Sequence, residues 1–375
     1  MLGDVLSLLG GRPATALGQG RRLAALGPLH AARYRLGRSA GSGFASQDDV
    51  YAEIWGGAAA EVGAEMARYA NGFLELRAGG AAARVRHNWT PLDDVVARAA
   101  SLDKPFVHQR LAAAGVPVPP YLEFTLADIE RAQSFLRDTS GAPIIVKPAS
   151  GTGGGQGVTG GIRRPRDLVW AALNAARFDR RLLVERQGPG SMYRILLLDG
   201  DLIDVIVRHP PQLTGDGRTS IAGLVIAENR RRIAARGRAG LMLLALNLDC
   251  ELALRDVSCT PRSVLPEGKT VSVKTISSDA GAKDNETIRE PIADDLLADA
   301  RRAAAEIGAR VAGVDVITPD LSSGLSAAGG YAIEVNCPPG LQHHYQVREP
   351  GAATPVAVPI LRRLLEEATQ EGERG

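Results

Sequence analysis

The segment Tyr331-Ala-Ile-Glu-Val-Asn336 puts a carboxylate and an amide two residues apart in an otherwise apolar run. Residues two apart in a strand share a face, so Glu334 and Asn336 point one way and Val335 the other. Asp315 is likewise the lone charge in Ala312-Gly-Val-Asp-Val-Ile317. A buried carboxylate with no partner is costly. A hard cation such as Mg²⁺ takes oxygen ligands and keeps phosphates beside it, and one ion shared by the two strands would satisfy Asp315, Glu334 and Asn336 together. For any one of them a turn cap or an arginine partner is the plainer reading; the three together favour the metal.

A second constellation lies about 180 residues earlier, where Pro143-Ile-Ile-Val-Lys-Pro148 runs into Ala-Ser-Gly-Thr-Gly-Gly-Gly-Gln-Gly157. It reads as a short buried strand, a lysine at its end, and a loop whose backbone N–H groups can approach phosphate oxygens because no Cβ blocks the way. A phosphate cradle together with a metal-binding strand indicates nucleotide chemistry. Residues Gly155-Gln-Gly-Val-Thr-Gly160 match GxGxxG literally, but a dinucleotide fold needs the last glycine to open a helix. Here Arg163, Arg164 and Pro165 intervene, and the Gly-Lys-Ser/Thr ending of a Walker A loop is missing. A glycine-rich flap folding over a triphosphate from a strand hairpin fits better.

The elements that must position these groups follow from caps, turns and periodicity. A helix is expected across Tyr51–Tyr69. Asp103 caps a helix with Pro105 in its first turn, running to Ala114 and closed by Gly115. Thr125 and Asp128 form a capping box for a helix to Asp138. Then come the Ile144–Lys147 strand, the glycine loop, a helix from about Arg166 to Arg177 and a strand Arg181–Val184. Ile195–Leu198 and Leu202–Val207 flank Asp199-Gly200, a hairpin signal. Helices are expected at about Ser220–Arg236 and Ala293–Ala312, with residues 248–290 mostly strand and loop. The last strands are Val311–Ile317 and Gly330–Val335. Strands mixed with helices, without regular βαβ alternation, indicate an α+β architecture. Arg230, Arg231 and Arg232 are read as a solvated helix face.

The chain has 375 residues, 45% of them apolar, which suits two or three domains with a sizeable core. A net charge of +2 gives no bulk case for nucleic acid or a membrane surface. Cys250, Cys259 and Cys337 show no CxxC spacing, so a reducing cytoplasm is expected and no catalytic role falls to them. No apolar run approaches the ~20 residues of a membrane span. Val5–Leu9 is short and follows Asp4 without a basic region, a poor signal peptide.

The order Lys104, Val146-Lys147-Pro148, glycine loop, Leu183-Val-Glu-Arg186, Tyr193-Arg194, Gly313-Val-Asp315 and Glu334-Val-Asn336, then Pro339-Gly340, resembles an ATP-grasp ligase. With Thr214-Gly-Asp-Gly217 it is most similar to the ATP-grasp part of cyanophycin synthetases, with D-alanine–D-alanine ligases more distant. The resemblance covers roughly residues 95–350 and leaves residues 1–95 unexplained.

It implies an ATP-grasp fold of two α+β subdomains holding ATP between them. The expected division is an N-terminal substrate or pre-ATP-grasp domain over 1–95, a subdomain with the flap over 96–190, a subdomain with the metal site over 191–350, and a C-terminal helix or tail over 351–375. Lys104 and Lys147 would contact ATP phosphates, and Gly153, Gly154, Gly155, Gln156 and Gly157 would close over them. Glu185, with Gln187 in the backbone that follows, would hold the adenine. Asp315, Glu334 and Asn336 would hold Mg²⁺, with Asp320 as a substitute for Asp315. Arg194, Arg208 and Lys274 would bind phosphate or the acceptor carboxylate, though a plain salt bridge serves Arg208 and Lys274 equally well. His344 and Gly340 would line the substrate end.

Met192 stands where such synthetases carry an acidic residue read as a ribose ligand, which leaves that contact unassigned. A Mur-ligase-like second module is missing, so both ligations of a cyanophycin synthetase are not expected. The implied reaction is ATP-dependent carboxylate–amine ligation through an acyl phosphate, on amino acids or small peptides, without nucleic acid or membrane. A homodimer stays open. A small-molecule kinase of the same fold is the alternative, separated by whether phosphate release needs an amine. A nucleotide-binding module without turnover is a third, excluded by ADP formation.

Overall fold

The computed structural model describes residues 47–234 and 243–374 of the chain. Helix α1 (Gln47–Val62) opens with Asp48 and Asp49 at the positive end of its dipole. Gly63, at φ +69°, ends it. The helix expected to reach Tyr69 therefore stops short, and β1 (Glu65–Arg68) pairs with β2 (Phe73–Ala78), which pairs with β3 (Ala81–Arg86). Helix α2 (Val95–Leu102) starts where the Asp94 carboxylate accepts from Val96 N at 2.7 Å and Ala97 N at 2.8 Å. Helix α3 (Lys104–Ala113) starts where Asp103 accepts from Phe106 N at 3.0 Å, with Pro105 in the first turn as the sequence indicates.

A four-stranded antiparallel sheet follows. It orders β4 (Tyr121–Phe124), β7 (Leu182–Arg186), β5 (Ile144–Pro148) and β6 (Thr159–Ile162) as β4-β7-β5-β6. Helix α4 (Ile129–Asp138), entered through the Thr125/Asp128 capping box, and α5 (Pro165–Ala175) cover it with Leu136, Leu168 and Leu173. The glycine loop thus joins two antiparallel neighbours, β5 and β6, and is a hairpin flap.

The central sheet orders β12-β9-β8-β13-β14 from β8 (Ser191–Leu198), β9 (Asp201–Arg208), β12 (Asn285–Thr287), β13 (Val311–Thr318) and β14 (Tyr331–Asn336). Asp199 at φ +50° and Gly200 at φ +87° make the predicted two-residue turn between β8 and β9. One face packs Ile195, Val314 and Val335 against α3 and α8 (Asp294–Ile307). On the other face Leu196 joins a cluster with Trp55 of α1, Leu76 of β2, and Ile360 and Leu361 of the last helix, α11 (Ala357–Arg374), which follows the short helices α9 (Leu325–Ala328) and α10 (Gln342–Tyr345). The C-terminal helix therefore packs with the N-terminal layer. Between the two sheets, α6 (Ile221–Ala234), α7 (Leu248–Asp256), β10 (Gln212–Thr214) and β11 (Thr270–Ser272) enclose a small core of Leu213, Ile221, Leu254 and Val271.

Several sequence expectations are corrected here. Residues 248–256 are helical: Asn247 accepts from Cys250 N at 3.2 Å as the cap, Leu248 and Leu252 join the flap-sheet core, and Cys250 and Leu254 face the small core. Helix α8 stops at Ile307, because Gly308 takes φ +74°. Arg232 is not on a solvated face. It is wholly buried and donates from Nε to Glu228 Oε1 at 2.9 Å and from Nη1 to Asp279 O at 2.8 Å. The end of α6 expected at Arg236, and Val5–Leu9, lie outside the described residues. Among the described residues no helix is long and apolar enough to cross a membrane.

Candidate functional site

The site begins with sheet register. Asp315 on β13 stands opposite Arg194 on β8 and Glu334 on β14, and Gly313 stands opposite Asn336. Arg194, Asp315 and Glu334 therefore form one row across three strands. Arg194 donates from Nε and Nη2 to the two oxygens of Asp315, each at 2.7 Å, a bidentate pair with both residues buried. Burial alone would make the guanidinium easier to deprotonate, but Asp315 outweighs it and raises its pKa. Asn336 Nδ2 donates to Asp315 Oδ2 and to Gly313 O, both at 3.2 Å. Asp320, the substitute ligand, lies past the end of β13 and accepts from Ser322 N at 2.8 Å and Ser323 Oγ at 3.0 Å in its own turn.

Arg208, at the end of β9, is buried at 7% exposure with no carboxylate partner among the described residues. Its Nη2 donates weakly to Ser277 O at 3.4 Å, and its Nε has no partner. Burial, with the Arg194 charge behind it, pushes its pKa down to about 10. A buried cation with an orphaned donor is expensive unless an anion meets it, so this corner fits a phosphate or carboxylate group. The third cation does not share this arrangement: Lys274 Nζ lies 2.8 Å from both Asp279 Oδ2 and Asn247 Oδ1, a structural ion pair.

On the flap sheet, Lys147 Nζ and His108 Nε2 both lie 2.6 Å from the same Glu185 oxygen. The Glu185 carboxylate is thus engaged inside the sheet layer. Burial would raise its pKa, yet Lys147 and His108 together hold it at about 2. Lys104, at the start of α3, sits with Nζ 3.5 Å from Thr152 O and Oγ1 at the root of the flap, and burial chiefly lowers its pKa. Gln187 Oε1 accepts from Gly161 N at 3.0 Å and tethers β6 to the segment after β7. In the loop itself Gly154, Gly155 and Gly157 take φ of +61°, +75° and +75°. A Cβ on Gly155 would come within 2.0 Å of Ser278 Cβ, so the flap leans on the 275–281 segment as only glycine can.

The turn after β14 is held from three sides. His344 Nδ1 donates to Asp204 Oδ2 at 2.6 Å, and Thr354 Oγ1 donates to the other Asp204 oxygen at 2.8 Å. Burial lowers the pKa of His344 although Asp204 opposes it. Its neighbour His343, only half-buried, is held well below the usual imidazole range by burial and by Arg208 and Arg194. Gly340 lets Gln342 and His343 pack tightly, since a Cβ there would meet them at 2.9 and 3.2 Å. From the N-terminal layer, Tyr51 OH donates to Gln342 Oε1 at 2.5 Å, and Asn88 Nδ2 donates to Pro338 O at 3.1 Å and Pro339 O at 3.0 Å.

Sequence reasoning missed His108, His343, Tyr51 and Asn88. His108 carries a signal that could have found it: it follows Lys104 by four residues on the same helix, hence on the same face. Tyr51 and Asn88 carry none, because the segment they contact lies some 250 residues or more along the chain.

The donor set suits Mg²⁺ and nucleotide phosphates. Among the described residues no three His, Cys, Asp or Glu side chains gather closely enough to cage a metal. Magnesium needs no such cage, because it is usually held by one or two carboxylates, substrate phosphates and water. Asp315 and Glu334 face each other across the strand pair, and Arg208, without a carboxylate partner among the described residues, could receive an anion nearby.

No family model matches the chain. It is 29% identical over 272 residues to a cyanophycin synthetase of a Synechocystis strain, covering 71% of this chain and 30% of that protein. It is 31% identical over 287 residues to the glutathione biosynthesis bifunctional protein GshAB of Streptococcus thermophilus, covering 75% of this chain and 37% of that one. The chain thus spans about a third of the length of the curated relatives it matches. Among solved structures it resembles a bifunctional glutathione synthetase from Pasteurella multocida, with a TM-score of 0.51 and 25% identity over 81% of this chain and 42% of that one.

Proposed function

This chain belongs to the ATP-grasp superfamily, and from that premise we propose that it is an ATP-dependent carboxylate–amine ligase acting on amino acids or small peptides. The observation that carries the reading is the buried, unmatched Arg208 beside the Arg194–Asp315–Glu334 row, an anion site next to a carboxylate pair. Asp315, Glu334 and Asn336 would hold Mg²⁺, which would supply charge neutralisation between the phosphates. Lys104, Lys147 and the Gly153–Gly157 backbone would hold the phosphates of ATP, and the strand leading to Gln187 the adenine.

A substrate carboxylate oxygen takes the γ-phosphoryl group, and ADP leaves. The amine nitrogen then attacks the acyl carbon, the C–O bond to phosphate breaks, and inorganic phosphate departs with that electron pair. The chain's part is placement and charge: Arg208 meets the transferred group, Arg194 stays locked to Asp315, and the flap keeps water from the acyl phosphate. We assign the nucleotide to the cleft between residues 96–190 and 191–350, and the acceptor end to the 338–345 turn braced by the N-terminal layer. Three unpaired cysteines support a reducing cytoplasm.

The test is ADP release across carboxylate and amine pairs, with mass spectrometry of products and hydroxylamine as a trap. A carboxylate-dependent hydroxamate is expected, and an amide with the right amine. ADP formation that yields a stable phosphorylated product indifferent to any amine would overturn the reading in favour of a kinase.

A further inference from the structure

His108 is buried, belongs to no motif that the sequence marks out, and among the described residues makes one polar contact, to the carboxylate that also holds Lys147. The geometry points to His108 as a positioning residue that fixes Lys147 for nucleotide phosphate through Glu185. This rests on the reading of Lys147 as a phosphate ligand.

Both donors converge on Glu185 Oε1 at 2.6 Å. The carboxylate, 2% exposed, cannot turn to water for compensation. An ammonium carries three donors. Paired with Glu185 alone, a buried lysine would be drawn fully onto the carboxylate, and its charge would be spent there. A second donor on the same oxygen shares that negative charge and stops the carboxylate rotating after the lysine. Two N–H groups of Lys147 then remain uncommitted to Glu185 and open to a phosphate oxygen.

The imidazole is itself held in place. The Tyr121 ring meets it edge-on with centroids 5.0 Å apart. Its Nδ1 is buried with no hydrogen-bond partner among the described residues, and Nε2 is the ring nitrogen that donates to Glu185. Helix α3 supplies Lys104 one turn earlier on the same face, and its backbone N–H is bonded to Ala149 O at 2.9 Å, at the root of the flap. One rigid helix therefore sets a lysine directly at the flap and a second lysine indirectly, through the His108–Glu185 contact.

The experiment is equilibrium binding of a non-hydrolysable ATP analogue with Mg²⁺ to the full chain, beside KM for the carboxylate substrate. His108→Leu should weaken analogue binding by about tenfold, the worth of a hydrogen bond to a charged group, and leave the carboxylate KM unchanged. His108→Gln carries an amide N–H near the place of imidazole Nε2 and should restore most of the affinity. His108→Asn, polar but too short to reach Glu185, should behave as the leucine variant does. A merely structural histidine would not rank the three variants by reach, and would move both constants together. If His108→Leu and His108→Asn bind the analogue as the wild type does while Lys147→Met loses it, the inference falls and Lys147 keeps its role. If Lys147→Met also binds normally, the phosphate reading of Lys147 falls, and the inference with it.

Discussion

Asp315 carries two loads, since its oxygens hold Arg194 and face Glu334 across the sheet. Asp315→Asn should therefore abolish turnover and also lower stability, because removing one member of a buried pair typically costs about 3–5 kcal/mol. Asp320→Asn, in an exposed serine-rich turn, should leave both nearly unchanged; a loss of activity there with Asp315→Asn active would exchange their roles. Glu334→Gln is the cleaner probe of the metal, as no ion pair holds that side chain among the described residues. Its rate should drop by about 10²–10³, and its half-saturating magnesium should rise. Lys147→Ala should remove ADP release; circular dichroism should stay that of the wild type at room temperature, while the melting temperature falls because buried Glu185 loses a partner. Acid tests the Glu185 cluster. Its carboxyl titrates at about 2 when folded against 4.5 ordinarily, so its contribution is full above pH 4.5 and is lost as pH falls towards 2. Melting curves should show the wild type losing more stability than Glu185→Gln across that window, and parallel curves would contradict the assignment.

The flap is the element whose behaviour matters most. It joins β5 and β6, rests through Gly155 on Ser278, and is rooted by Ser150, whose N and Oγ both donate to Asp179 Oδ2. Hydrogen exchange at residues 150–160 should slow when a Mg-ATP analogue binds, since an acyl phosphate left uncovered would hydrolyse; exchange indifferent to the analogue would make the loop a plain connector. The hairpin was legible because strand, lysine and glycines are contiguous, and the capped helices were legible because a cap is read within four residues. Helix α7 was not: its apolar residues divide between two cores, Leu248 and Leu252 on one side and Cys250 and Leu254 on the other, which blurs the periodicity. Asp315, Glu334 and Asn336 were picked out by charge in apolar strands and do meet in space. An arginine partner is the plainer reading of each alone, and Asp315 has one; that it is Arg194 could not be foreseen, because the register of β8 on β13 is a long-range pairing that neither segment encodes locally.

At the scale of the molecule, the N-terminal layer and α11 share one core, and that core backs the turn carrying His343 and His344. Tyr51→Phe removes only the hydroxyl that grips Gln342, so it should leave the fold intact and raise KM for the amine or carboxylate more than for ATP; an unchanged KM for every substrate would make the contact incidental. The two sheets also differ in kind as holders of ligands. Arg194, Asp315 and Glu334 lie abreast on adjacent strands, so their separations are multiples of the ~4.8 Å interstrand spacing, maintained by backbone hydrogen bonds that no hinge between subdomains stretches. Lys104, Lys147 and the flap belong to other elements and travel with them. On the proposed reading the central sheet is a fixed ruler and the flap sheet the jaw beside it: any opening between them would change the proposed grip on the phosphates, while the dimensions of the Arg194–Asp315–Glu334 row would stay the same.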